Sequence, residues 1–163
     1  MNSRMEISKW QSGLVLTLRF LIGWHLLYEG VFKLLNPEWS SLAFLVESTW
    51  IFSGIAGWIT SSEGILTVVD FLNTWGLIAI GLGLILGLFT RTTAFAGTFL
   101  LGLYYLFHPP FIGMGMSVPL EGNYLIVNKN LIEAVMLLLI AVSPAARLFG
   151  LDTLITERKG KKI

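Results

Sequence analysis

From Phe71 to Phe107 the chain carries a single charged residue, Arg91. Lipid accommodates such a run far better than water does: about 20 apolar residues as a helix cross a hydrocarbon core about 30 Å thick. With Arg91 as the break, the pattern predicts membrane spans over 71–89 and 93–107. Two further apolar stretches, 13–35 and 131–148, predict a first and a fourth span. Pro109-Pro110 removes backbone donors just where the third helix must leave the membrane. Composition agrees, with 55% hydrophobic residues, 13% charged residues and a mean hydropathy of +0.75. A soluble domain whose surface faces water is seldom so apolar.

The stretch 41–59 competes for a fifth span, and charge decides the matter, because Lys and Arg are retained on the cytoplasmic side more strongly than acids are. With four spans, Arg4, Lys9, Arg91, Arg147 and the basic tail of 153–163 share one side. The outer segments then carry Glu38, Glu47, Glu63, Asp70 and Glu121. A fifth span would carry Arg91 and the tail outward. The expected fold is therefore an all-α integral membrane domain, a four-helix transmembrane bundle with N-in/C-in topology in a bacterial-type inner membrane. Residues 41–66 form an outer-side interfacial or re-entrant helical segment, for which Trp39, Trp50, Trp58 and Trp75 suit the membrane boundary. The N-terminal apolar run contains Arg19 and no small-residue cleavage site follows it, so it is expected to be a retained helix.

A net charge of +1 and the lack of a basic, aromatic-interleaved cluster exclude nucleic acid as a partner. The absence of cysteine removes disulfides, thiolate-held zinc and iron–sulfur clusters. His25 and His108 differ in depth, which disfavours a haem held between them, and no metal-ligand spacing occurs. Gly76, Gly81, Gly83 and Gly87 let another helix approach closely; ordinary packing within the bundle is the simpler reading and a homodimer contact the other.

Charged groups deep in hydrocarbon cost about 2.5–3.5 kcal/mol each on insertion scales unless they are paired or wet. The first span carries Arg19, His25, Glu29 and Lys33. At about 100° per residue they occupy roughly a third of the helix circumference, with Gly23 and Gly30 beside them. Glu29 lies about 7 Å outward of the midplane, the depth expected for Glu133 of the fourth span. Asn73, Tyr104, Tyr105, His108 and Asn130 fall on the same outer side. One reading is a network that fixes helix order, with Glu29 paired to Lys33 at i,i+4 and with Asn130 and Glu133 tying the fourth helix to the first. The other is an outer-side pocket for a polar-headed, lipid-soluble molecule such as a quinone. His25, Glu29 and Glu133 are then the proton-handling, catalytic candidates. Arg19, Lys33, Asn73, Tyr104, Tyr105, His108 and Asn130 are the binding candidates. Gly113-Met114-Gly115-Met116 reads as a flexible outer loop.

The order Arg19-x-x-x-Gly23, Glu29-Gly30-x-x-Lys33-x-x-Asn36-Pro37, Gly81-x-Gly83-x-x-x-Gly87-Leu88-Phe89-Thr90-Arg91, Asn128-x-Asn130 and Arg147 followed by Asp152 resembles the DoxX/DoxD-like family. The likeness runs from about Leu18 to Asp152. It implies a four-helix membrane subunit, in some members part of a thiosulfate:quinone oxidoreductase fed by a periplasmic sulfur donor. The chain departs from the family's more usual acidic residue early in the second helix, where it has Asn73-Thr74-Trp75, and from its Gly-x-Gly-Arg ending, where it has Ala145-Ala146-Arg147. The resulting expectation is the membrane subunit of a quinone-linked oxidoreductase working with a partner protein. The alternative is a non-catalytic assembly or chaperone-like protein that holds another transmembrane helix or a lipid.

Overall fold

A computed structural model describes residues 9–48, 50–111 and 123–153. Arg4, the Gly113–Met116 loop, Glu121 and the basic residues of the tail lie outside the described residues. The chain is mostly helical: α1 (Lys9–Leu35), α2 (Leu42–Val46), α3 (Ser53–Thr60), α4 (Glu63–Leu86), α5 (Thr90–Phe107) and α6 (Lys129–Val142). A two-stranded ribbon, β1 (Asn123–Tyr124) with β2 (Val127–Asn128), precedes α6, and a 3₁₀ turn, Pro144–Arg147, follows it.

Helix ends follow the local chemistry. α1 stops at Leu35, two residues before Pro37, and α5 stops at Phe107, two before Pro109, since a proline pushes its predecessor out of helical geometry. α6 begins under a side-chain cap, with Asn128 Oδ1 accepting from the Leu131 N–H at 2.9 Å. It ends at Val142 because Pro144 follows, short of the expected 148. α4 closes on Gly87, whose φ of +64° lets the Leu88 N–H return to the Gly83 carbonyl at 2.9 Å. At its other end α4 starts at Glu63, well before Phe71. The segment between α1 and α4 therefore spans 36–62, ending before the expected 66, and is built from the two short helices α2 and α3.

The long helices pack in two close pairs, α1 along α4 and α5 along α6. Ile22 and Leu26 of α1, Leu77 and Leu84 of α4, Leu101 of α5 and Leu137 of α6 meet in one core. The α1–α4 contact is close because of glycine. A Cβ on Gly81 would lie 2.5 Å from the Leu27 amide nitrogen, and one on Gly30 would lie 2.9 Å from that of Ile78. A Cβ on Gly83 would meet the Thr93 side chain of α5 at 2.7 Å, whereas one on Gly76 would meet no neighbouring element within 4 Å among the described residues. A second core, Leu45, Ala56, Ile59 and Phe107, seats α2 and α3 on the end of α5.

α1 and α4 are long and apolar enough to cross a membrane by length and composition. About 28% and 33% of their most apolar windows are buried within the chain, so most of that apolar surface faces outward. Phe20, Trp24, Leu72, Phe99 and Val135 are all exposed. Water penalises a surface of that extent, and lipid does not.

Candidate functional site

The polar residues of α1 separate into three groups along its length. Arg19, 7% exposed, turns inward, where its Nη1 donates to the carbonyls of Ala146 at 2.6 Å and Phe149 at 2.7 Å. Those carbonyls belong to the segment that leaves α6 at Pro144, so Arg19 satisfies a chain break rather than joining His25, Glu29 and Lys33.

His25 is the hub of the second group. Its Nδ1 lies 3.0 Å from both carboxylate oxygens of Glu133 on α6. Its Nε2 lies 3.2 Å from Lys129 Nζ and 3.9 Å from Glu29 Oε1, one turn along α1. With Nδ1–H donating to Glu133, Nε2 holds the lone pair and accepts from the Lys129 ammonium. Two carboxylates from different helices thus converge on one imidazole. Lys129, which is not among the sequence-derived candidates, completes the group at i,i+4 from Glu133, and that spacing at the head of α6 is the signal that could have found it.

The third group starts at Lys33. Its ammonium bonds Asn73 Oδ1 on α4 at 2.9 Å, rather than Glu29 at i,i+4, and Asn73 Nδ2 donates to the Tyr104 hydroxyl on α5 at 2.7 Å. The ammonium also sits over the Trp39 ring, 4.5 Å from its centroid. Asp70, one turn before Asn73, accepts from Ser40 Oγ at 2.8 Å, from the Ser41 N–H at 2.9 Å and from Ser41 Oγ, which pins the start of α2 to α4.

Two of the expected residues stand apart. Tyr105 donates to the Ile126 carbonyl beside the β-ribbon at 2.8 Å. His108 pairs through Nε2 with the Phe44 carbonyl and packs on the Phe44 ring, joining α5 to α2. Neither reaches His25.

Three cavities adjoin these groups in series. An open apolar groove of about 490 Å³ runs between α1 and α6, walled by Leu18, Leu21, Ile132 and Met136, and ends at His25, Lys129 and Glu133. A small cleft of about 140 Å³ lies behind the ring, where Glu29, Lys33, Tyr104, Lys129 and Asn130 meet leucines of α1, α4 and α5. Beyond Tyr104 an apolar cavity of about 430 Å³ opens beneath α2 and α3. His25 and Lys129 border both the groove and the cleft, and Tyr104 borders both the cleft and the cavity.

The profile of the DoxX family matches residues 14–109, more than half of the chain, and covers most of α1 and all of α2 to α5 with His25, Glu29, Lys33, Asn73 and Tyr104. No curated protein and no solved structure matches the chain. With apolar helices long enough to span, outward surfaces suited to lipid and that match, the chain belongs to the DoxX family of membrane proteins.

Proposed function

We propose that this protein is the membrane subunit of a quinone-linked oxidoreductase in a bacterial-type inner membrane. In this reading α1, α4, α5 and α6 form a four-helix transmembrane bundle with both termini cytoplasmic, and α2 and α3 lie at the outer interface. The distribution of Lys and Arg supports the orientation: Lys9, Arg91 and Arg147 gather at one end, opposite Glu38, Glu47 and Glu63.

One observation carries the functional reading: the apolar groove between α1 and α6 ends at a single imidazole held by Glu133 and faced by Lys129 and Glu29. Nonpolar walls suit a hydrocarbon tail, and the groups at the end suit a carbonyl head. A quinone bound there supplies the two-electron acceptor that a chain without cysteine lacks. Glu133 fixes the ring through Nδ1, so that Nε2 is the nitrogen that exchanges a proton. Lys129 brings N–H donors within reach of a head-group oxygen at the same point. Glu29, partly exposed on the far side of Nε2, is placed to pass a proton between His25 and the outer aqueous face. Electrons come from a partner protein on that face, with thiosulfate the donor class to test first.

The test is to purify the protein in mild detergent, extract its lipids and measure quinone per chain by mass spectrometry. Wild type is compared with His25→Ala and Glu133→Gln. The proposal expects roughly equimolar quinone in wild type, with loss in His25→Ala. A wild-type protein without quinone, even when purified from quinone-supplemented membranes, would direct attention to an assembly protein that holds another transmembrane helix or a lipid.

A further inference from the structure

The cavity beneath α2 and α3 lies on the far side of Tyr104 from His25 and plays no part in the function proposed above. Its roof is Phe44 and Phe52, from α2 and the turn before α3, with Ile59 of α3, and its inner wall is Leu103 and Phe107 of α5. Ile55, Leu72 and Phe99 line it as well and are exposed at the surface, so the mouth is rimmed by apolar side chains that meet the surrounding lipid. Among the described residues, polar groups occur only at the inner end, where Ser41, Asn73 and Tyr104 border the space.

Their hydrogen bonds restrict what can be recognised there. Ser41 Oγ is committed to Asp70. The Asn73 amide is partly committed, its Oδ1 to Lys33 and one Nδ2–H to Tyr104. The Tyr104 oxygen accepts from Asn73, and its own O–H has no acceptor among the described residues. Among the described residues, the inner end of an otherwise apolar cavity therefore offers two uncommitted neutral donors, the Tyr104 O–H and the second Asn73 N–H, and no charged side chain. A buried phosphate, carboxylate or ammonium would be left unpaired there, whereas a neutral carbonyl would be satisfied.

We infer that this cavity is a second lipid site, which takes a neutral, single-tailed lipid head-first, its carbonyl on the Tyr104 hydroxyl and its hydrocarbon tail leaving past Leu72 and Phe99. The volume of about 430 Å³ falls within the range of small-molecule sites, roughly 300–1,000 Å³. The apolar rim excludes a zwitterionic headgroup, so a diacyl phospholipid does not fit the role. The site stands independently of His25: it shares no side chain with the α1–α6 groove.

The experiment is photolabelling of the purified full chain with three probes that each carry a diazirine at the end of a long alkyl tail. Two are neutral carbonyl compounds, a benzoquinone and a fatty-acid methyl ester; the third is the free fatty acid, used at alkaline pH where it is ionised. Peptide mapping by tandem mass spectrometry is expected to place adducts of the neutral probes on segments holding Ile55, Leu72 or Phe99, with little labelling by the anion. The stronger of the two neutral probes distinguishes a quinone-like from an ester-like natural ligand. Tyr104→Phe, which keeps the ring volume, should lower labelling there about fivefold, the effect of one hydrogen bond. Leu103→Trp, which fills the cavity, should abolish it, and His25→Ala should leave it unchanged. Equal labelling by the anion, indifference to Tyr104→Phe in a variant that elutes as wild type, or adducts confined to the α1–α6 groove would each overturn the assignment. Loss of labelling in His25→Ala would show one shared site in place of two and would overturn it as well.

Discussion

The imidazole of His25 and the carboxylate of Glu133 face one another across the seam between α1 and α6, with 3.0 Å from Nδ1 to each carboxylate oxygen. α1 packs chiefly on α4, and α6 on α5, so this pair is a polar tie between the two helix pairs. Replacing Glu133 by Gln keeps an acceptor for the ring N–H but removes the charge, whereas Glu133→Ala leaves the ring without that acceptor. Thermal unfolding in detergent should show Glu133→Ala less stable than Glu133→Gln by about 1 kcal/mol, the low end of the cost of an unsatisfied polar group because the His25 ring is only partly buried. Equal stability of the two variants would mean that the tie does not help to hold the helix pairs together.

Close helix approach gives a contrast between two glycines of α4. At Gly81 a Cβ would fall 2.5 Å from the Leu27 amide nitrogen and 2.7 Å from its Cα, both backbone atoms that cannot yield without moving α1. Gly81→Ala should destabilise the protein by about 1–3 kcal/mol through overpacking. Gly76, on the same helix, has nothing within 4 Å, so Gly76→Ala should stabilise by about 0.5–1 kcal/mol as helix propensity improves. Thermal shifts of opposite sign in the two variants are the expected result. A loss of similar size in both would mean that a neighbour absent from the isolated chain packs against Gly76.

How much of this was legible beforehand depended on the range of the interaction. Proline near Leu35 and Phe107 set helix ends locally, and the polar stripe of α1 placed His25, Glu29 and Lys33 toward the bundle. The partner of Lys33 was a different matter, because i,i+4 spacing favours Glu29 while the glycine-close contact of α1 with α4 brings Asn73 to 2.9 Å. Tyr104 and Tyr105 are adjacent in sequence but about 100° apart around a helix, so only the first borders the cleft. α4 extends back to Glu63 because Asp70, which argues against a span, is satisfied by Ser40 and Ser41. Arg19 lies on the same polar third of α1 as His25, Glu29 and Lys33, yet it answers a need created after Pro144, and helical periodicity in α1 carries no trace of that.

That need makes Arg19 a stability residue in this structure. Its Nη1 serves the carbonyls of Ala146 and Phe149, and the same nitrogen lies against Gly87, where a Cβ would come within 2.9 Å. Arg19→Met keeps much of the apolar stem but leaves two carbonyls unanswered. A loss of about 1.5–3 kcal/mol is expected, the range for hydrogen bonds to a charged group. Quinone retention in the surviving folded fraction should match wild type, because Arg19 borders neither the groove nor the cleft. A folded Arg19→Met protein that had lost quinone would place Arg19 in the binding machinery after all.

Asp152 closes the same end of the molecule and gives it a pH dependence. Its carboxylate accepts from the Phe89 N–H at 2.7 Å and the Thr90 N–H at 2.8 Å, capping α5 from a distance, where Phe89 itself sits at a φ of +48°. Burial works against the charged form, but the hydrogen bonds from Thr90 and Phe89 and the nearby charge of Arg19 outweigh it and hold the pKa below the ordinary 3.8. A carboxyl whose folded pKa lies below its unfolded one contributes stability that is fully present above the unfolded value. That contribution fades as pH falls through the folded pKa. Thermal stability measured from neutral pH downward should therefore drop faster in wild type than in Asp152→Asn once pH passes below the ordinary aspartate value. Near neutrality Asp152→Asn should be the less stable of the two, since a neutral amide oxygen caps the first turn of α5 more weakly than a carboxylate does. Parallel acid profiles for the two proteins would show that the α5 cap does not depend on the charge of Asp152.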